Sequence, residues 1–308
     1  MNRCTPISFT RELPAWLLVG LLAVVSAAAF VAACGGPGGG SSPTSTATVN
    51  VTSTPSASLG PTAAPTAATS PTTTLSLYFL RGEDLGVAER LVPPTTKPAT
   101  AALEALLAGP TAAERAAGLT SAVPSGTRLL SLSIDGGTAR VDLSAQFASG
   151  GGSLSVQARV AQVVYTLTRF KTVETVAFML EGSAVDALGG EGLMLGEGQG
   201  RSDWRSFEPA IFVETPGVGA LLSGPFTLSG TASVFEGSFT AQLVDGAGHS
   251  IVRTQVQASA GAPGRGRFRE SVPFDTTSSS ATLVVFDQSM EDGSRQNEVR
   301  IPVTFARE

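Results

Sequence analysis

The chain has 308 residues, a formal net charge of −5, 15% charged residues and only 6% aromatic residues. That length allows more than one domain. The mild acidity argues against nucleic acid as a partner, since no basic patch with interleaved aromatics offsets it. Two cysteines and one histidine leave no basis for a disulfide framework, a zinc site or a thiol–imidazole pair.

A short N-terminus bearing Arg3 and Arg11 leads into an uncharged, mostly apolar stretch from Ala15 to Ala33, about long enough to cross a bilayer as a helix. It closes on Val31-Ala32-Ala33-Cys34. No stop-transfer cluster follows; Gly35-Gly36-Pro37-Gly38 comes next, and no charge appears before Arg81. This pattern resembles the lipobox of bacterial lipoproteins. The resemblance implies that residues 1–33 are a signal peptide cut between Ala33 and Cys34, and that the Cys34 thiol is acylated. A retained N-terminal anchor and simple secretion are the alternatives. The expected location is the extracytoplasmic face of the cell membrane, reached through acyl chains that each contribute about 0.8 kcal/mol per buried methylene. Cleavage would also remove Cys4, so the remaining thiol is committed to lipid. Loss of Arg3, Arg11 and Glu12 leaves the chain one unit more acidic, which disfavours anionic lipid on the folded surface.

After Cys34, residues 35–74 are Gly, Ser, Thr, Pro and Ala with few apolar side chains and no charge. Such a segment cannot bury enough apolar surface to offset chain entropy. The expectation for 34–74 is a lipidated cysteine followed by a disordered spacer, with an end-to-end distance of roughly 35 Å.

Order is expected from Leu75. Leu75 to Leu80 and Val87 to Val92 read as strands, and Pro98 opens a helix with Ala102, Leu103, Leu106 and Leu107 on one face, stopped at Gly109-Pro110. Thr111-Ala112-Ala113-Glu114 has the spacing of a capping box. Strands at Leu130–Ile134 and Thr138–Leu143 flank Asp135-Gly136-Gly137, a hairpin signal. After three glycines, Ser153 is expected to cap a helix carrying Val156, Val160, Val163, Val164 and Leu167. Its many β-branched residues require that packing, rather than propensity, hold it. Val173 to Leu180 returns as a strand, so 75–205 is expected to be an α/β (α+β) domain.

From Pro209 the pattern is all-β. Seven short runs, Ile211–Glu214, Phe226–Ala232, Ser238–Val244, Ser250–Val256, Arg267–Val272, Thr282–Phe286 and Val299–Phe305, are spaced like the strands of a sandwich. No Trp or Cys lies among them, so 209–306 is expected to be an immunoglobulin-like β-sandwich without the Cys…Trp…Cys core.

Two resemblances follow from these stretches. Leu77-Tyr78-Phe79-Leu80, Ala102 to Pro110, Leu119 to Pro124, Val141-Asp142-Leu143-Ser144 with Phe147, and Gln162 to Thr168 with Phe170 resemble the GerMN domain of the sporulation and germination lipoprotein GerM. Gly230-Thr231-Ala232, Val234-Phe235-Glu236, Gly261 to Gly266, Asp292-Gly293-Ser294 and Ile301-Pro302-Val303 resemble the immunoglobulin-like domain of bacterial spore germination. The pairing implies an envelope lipoprotein near peptidoglycan or a cell-surface assembly, with no established chemical activity and no cofactor.

Residues able to do chemistry are few. His249, in Asp245-Gly246-Ala247-Gly248-His249, reads as a hairpin turn rather than a triad member. Glu83-Asp84 and Glu291-Asp292 read as solvated acids. Asp287 with Glu291 and Asp292 lacks the oxygen-ligand spacing of a calcium loop, so no metal site is expected. Arg265, Arg267 and Arg269 alternate with Gly266 and Phe268, which on a strand puts three guanidiniums on one face. That row would either bind carboxylates or anionic wall polymer, or guard an edge strand. Phe235 and Phe239 are expected in the sandwich core and Trp204 over the seam between domains, with stacking on a sugar ring as the alternative. The functional expectation is a non-catalytic protein without catalytic residues, binding an envelope protein through a sheet edge or wall glycan. The rival is an envelope hydrolase working through two carboxylates across a cleft.

Overall fold

The computed structural model describes residues 71–190 and 192–306; Ala33, Cys34 and Cys4 lie outside the described residues. The first domain opens with a hairpin of β1 (Thr73–Arg81) and β2 (Asp84–Val92). Strand β1 starts inside the expected spacer, at Thr73. Leu77, Tyr78, Phe79 and Leu80 are buried in succession, as befits a strand covered on both faces. Helices account for one cover. α1 (Pro98–Leu107) starts with proline in its first turn and buries Ala99, Ala102, Leu103 and Leu106. The short α2 (Ala112–Ala116) has the expected capping box: the Glu114 N–H donates to Thr111 Oγ1, and the Thr111 N–H donates to Glu114 Oε2 at 2.7 Å.

Strands β3 (Leu129–Asp135) and β4 (Thr138–Leu143) form a hairpin through Gly136 and Gly137. Both glycines have positive φ, +54° and +81°, as a two-residue turn that matches strand twist requires. α3 (Ser153–Leu167) is the central helix, packed on β1, α1 and the next strand. Its N-cap is Gly152, not Ser153, and no side chain caps it. The preceding glycines set the entry, so Ser153 is already helical. Val160, Val163, Val164 and Leu167 are fully buried, and burial of this stripe offsets the low helix propensity of valine. Gln162 is buried too; its Oε1 accepts from the Ala122 N–H and its Nε2 donates to the Tyr78 carbonyl. Strand β5 (Thr175–Leu180) lies parallel to β4, and β6 (Ser183–Ala184) completes the sheet order β3-β4-β5-β6. A small hairpin of β7 (Ala187–Leu188) and β8 (Leu193–Met194) and a 3-10 segment, Arg201–Phe207, close this mixed α+β domain.

The second domain is an immunoglobulin-like sandwich. One sheet pairs β9 (Ile211–Thr215), β11 (Phe226–Ala232) and β14 (Gly266–Val272) in the order β14-β11-β9. The other contains β10 (Leu221–Leu222), β12 (Ser238–Asp245), β13 (Ser250–Gln257), β15 (Ser280–Gln288) and β16 (Arg295–Phe305), ordered β10-β16-β15-β12-β13. All seven β-like runs fall on strands; β10 is an additional two-residue strand, parallel to β16. Strand β11 alternates buried and half-buried residues throughout, the pattern of a strand with one face in the core. Phe239 of β12 and Phe268 of β14 meet edge-to-face at 4.9 Å, joining the two sheets in the core.

Candidate functional site

Both domains belong to one compact unit, and their hydrophobic core is continuous. The joint is built from residues that the strand and helix patterns bring together. Tyr78 of β1 and Tyr165 of α3 meet Phe212 of β9, with ring centroids 5.6–6.0 Å apart. Above them lies Arg201, whose guanidinium carbon sits 4.7 Å from the Tyr165 ring centroid and 5.2 Å from that of Tyr78. Arg201 Nη1 contacts Glu214 Oε1 at 2.5 Å, and the Tyr78 hydroxyl donates to the same oxygen at 2.6 Å. A second pair follows: the Tyr165 hydroxyl donates to Glu208 Oε1 at 2.6 Å, and Arg265 Nε lies 3.1 Å from Glu208 Oε2. Backbone closes the joint, with the Glu89 N–H donating to Val218 O and the Val218 N–H to Val87 O.

The charges respond as this geometry requires. Burial alone would raise the Glu214 carboxyl, but the Arg201 charge and the hydrogen bonds from Tyr78 and Arg201 outweigh it and hold the pKa below the usual carboxylate range. Burial pushes both tyrosine hydroxyls up, further aided at Tyr165 by its bond to Glu208.

Two concavities flank the joint. The larger, about 620 Å³, runs between β2 with α2 and the strands β15 and β16, and includes Glu89, Arg90 and Glu114. Burial raises the pKa of Glu89, partly countered by the Gly217 N–H and Arg169; Glu114 is held low because bonds from Arg90 outweigh its burial. One raised and one lowered acid is the pattern of acid–base catalysis, but the two do not converge. Glu89 and Arg90 are neighbours on a strand, so their side chains leave opposite faces. Glu89 accepts from the Gly217 N–H, whereas Arg90 turns the other way to bind Glu114 and the carbonyls of Ala105 and Gly109. The smaller cavity, about 210 Å³, lies under the β1–β2 turn and is lined by Arg81, Asp84, Ile211, Val213, Glu298 and Ile301, among others.

The family model Germane, described as sporulation and spore germination, matches residues 76–186; the model Gmad2, the immunoglobulin-like domain of bacterial spore germination, matches residues 210–294. The chain carries a Germane domain followed by a Gmad2 domain. No curated protein matches it. Among solved structures, the tandem GerMN domains of the sporulation protein GerM from Bacillus subtilis are 18% identical with a TM-score of 0.39, covering 66% of this chain and 62% of that one. The chain thus spans less than two thirds of that tandem structure. The first GerMN domain of the same protein is 24% identical with a TM-score of 0.37, covering 42% of this chain and 99% of that one.

Arg265, Arg267 and Arg269 do not form a row. Arg265 precedes β14, is largely buried, and is bound to Glu208 and to the Pro209 carbonyl at 2.9 Å. It fastens the interdomain connection, so it is unavailable to a ligand. Arg267 and Arg269 are exposed on β14, an edge strand of its sheet beside β11. His249 is exposed and lies 3.3 Å from Asp245 Oδ2 within its own turn. Asp287 accepts from the Asn297 amide and Asp292 from Ser294, so these acids are held by their own hairpin. Among the described residues no cluster of three or more His, Cys, Asp or Glu side chains is placed to hold a metal.

The aromatic expectations divide. Phe239 is in the Gmad2 core, but Phe235 is 57% exposed. The chain reverses at Glu236, with φ +52°, and this leaves Phe235 outside the sandwich. It shares a shallow pocket with Met290, which is 78% exposed, and with Asp287 and Gln255. Trp204 is buried in the 3-10 segment that packs on α3 and β2, so it cannot stack on a sugar. The junction residues Arg201, Glu208 and Glu214 were absent from the sequence candidates. Their partners are up to 136 residues away in the chain, and no local spacing signals such pairs.

Proposed function

We propose that the protein is a non-catalytic lipoprotein, anchored through Cys34 at the outer face of the cell membrane, that presents its Germane and Gmad2 domains as a single binding body for an envelope protein or wall glycan during sporulation or germination. The observation that carries this reading is the joint. Two domains fastened by part-buried ion pairs, shared aromatic packing and strand hydrogen bonds suit a scaffold that transmits position between membrane and partner. The lipobox-like run ending at Cys34 supports the anchor, and the family models support the cellular process. Phe235 and Met290 supply the contact surface, because large apolar side chains exposed together mark interaction sites more often than chance.

The test uses the full-length protein in living cells, with a photo-crosslinking residue in place of Phe235 or Met290. Recovered adducts are analysed for both protein and muropeptide, and the membrane-extracted protein for acyl mass at Cys34. Specific adducts and an acylated cysteine are expected. A non-acylated Cys34 overturns the anchor. Release of wall fragments by the purified protein, lost on neutralising one buried acid, overturns the non-catalytic reading in favour of the hydrolase.

A further inference from the structure

The cavity under the β1–β2 turn contains opposite charges that do not meet. Arg81 and Asp84 face each other across the hairpin register, so their side chains leave the same face of the ribbon. Both line the cavity, yet among the described residues Asp84 makes no ion pair. Arg81 spends Nη1 on the Arg300 carbonyl at 2.5 Å, and its Nε is buried without a hydrogen-bond partner. A buried donor left unpaired is costly, and more so on a charged group. Glu298, the other acid in the lining, is already bound by Arg295 and Arg300. The rest of the lining carries no charge and is mostly aliphatic or aromatic, with Leu85, Val87, Ile211, Phe212, Val299 and Ile301 among it.

From this arrangement we infer that the cavity is a binding site for a small zwitterion, an aliphatic α-amino acid, whose carboxylate pairs with Arg81 and whose ammonium pairs with Asp84. Size agrees: about 210 Å³ is the volume of about seven waters at roughly 30 Å³ each, enough for an amino acid with a short branched side chain. Charge agrees as well. The partly buried Asp84 has its pKa raised by desolvation and by Glu83, against the opposing pull of Arg265, and an ammonium partner would relieve that cost. The aliphatic lining accommodates the side chain and excludes charged or long ones. The site lies where two domains meet, a preferred place for small-molecule pockets. It goes beyond the proposed scaffold role, because a ligand gripped here touches β1, β2, β9 and β16 together and would tighten the joint.

The test is calorimetric titration of the full-length protein with alanine, valine and leucine, set against N-acetylvaline and valinamide, which each lack one charge. Valine is expected to bind and both blocked forms to bind at least about tenfold more weakly, the effect of losing one charge-assisted hydrogen bond. Asp84→Asn keeps the side-chain shape and breaks no ion pair, so it should leave the melting temperature near that of the wild type while weakening valine by a similar factor. Arg81→Gln should do the same to binding, with its melt recorded because the bond to Arg300 is also lost. Absence of binding by all three amino acids at high millimolar concentration, equal binding of the blocked forms, or undiminished binding by Asp84→Asn overturns the inference. None of these outcomes bears on the anchor or on the crosslinking result.

Discussion

Glu214 is the residue on which the joint turns. It accepts from both Arg201 and Tyr78, so its removal leaves a guanidinium and a phenol without their acceptor. The pair is partly solvent-exposed, with side-chain exposures of 28% and 20%, so the fully buried limit does not apply. Glu214→Ala is expected to cost about 2 kcal/mol, read as a shift in the urea midpoint. The pH dependence has a definite sign. The folded-state pKa lies below the ordinary value of 4.5, so the unfolded chain binds more protons in the acid range. The stabilisation is complete above that ordinary value and is lost as pH falls through the lower folded one. Denaturation curves between neutral pH and pH about 3 should show wild type losing more stability than Glu214→Gln, which has no carboxyl to protonate at this position. Parallel losses would mean that other acids carry the transition.

Elements were more legible than contacts, and the reason is range. The β3–β4 hairpin follows from Gly136-Gly137, the first helix from Pro98, the α2 cap from Thr111 and Glu114; each signal lies within four residues of its effect. The Val stripe of α3 and the alternation of β11 are also local. Arg265 shows the limit. Its alternation with Arg267 and Arg269 suggested a common face, but β14 begins one residue later and Glu208, 57 positions earlier, captures it. Phe235 fails for a backbone reason, the positive φ at Glu236. Gly230 is an element-scale feature that the strand pattern conceals. It sits at the register shift between β11 and β9, and a Cβ there would fall 1.9 Å from the Phe212 carbonyl oxygen and 2.9 Å from the Phe268 ring. Gly230→Ala must therefore push β9 away, displacing Phe212 and Glu214 with it. A loss of about 2–3 kcal/mol is expected, in the upper range for overpacking, with a matching drop in melting temperature. An unchanged melt would mean that the sheet can shift at no cost.

At the scale of the whole molecule, the question is whether Germane and Gmad2 behave as two bodies or one. Interdomain contacts in most chains are polar and modest, so independent motion is the default. Here the hydrophobic core runs through the boundary, and β2 packs on β9 across it. The chain's two tyrosines, Tyr78 and Tyr165, both sit in that boundary, while Trp204 reports on the Germane domain. These probes allow a direct measurement. In a Trp16→Phe background, urea unfolding followed by Trp204 fluorescence, by near-ultraviolet tyrosine dichroism and by far-ultraviolet dichroism should give coincident curves with one midpoint, the signature of a single cooperative unit. Arg201→Ala removes the cation that bridges the two rings and Glu214, so it should pull the tyrosine transition to lower urea before the strand signal is lost. Separate midpoints in the parent protein would show that the joint is too weak to hold one body, and the scaffold reading would lose its main support.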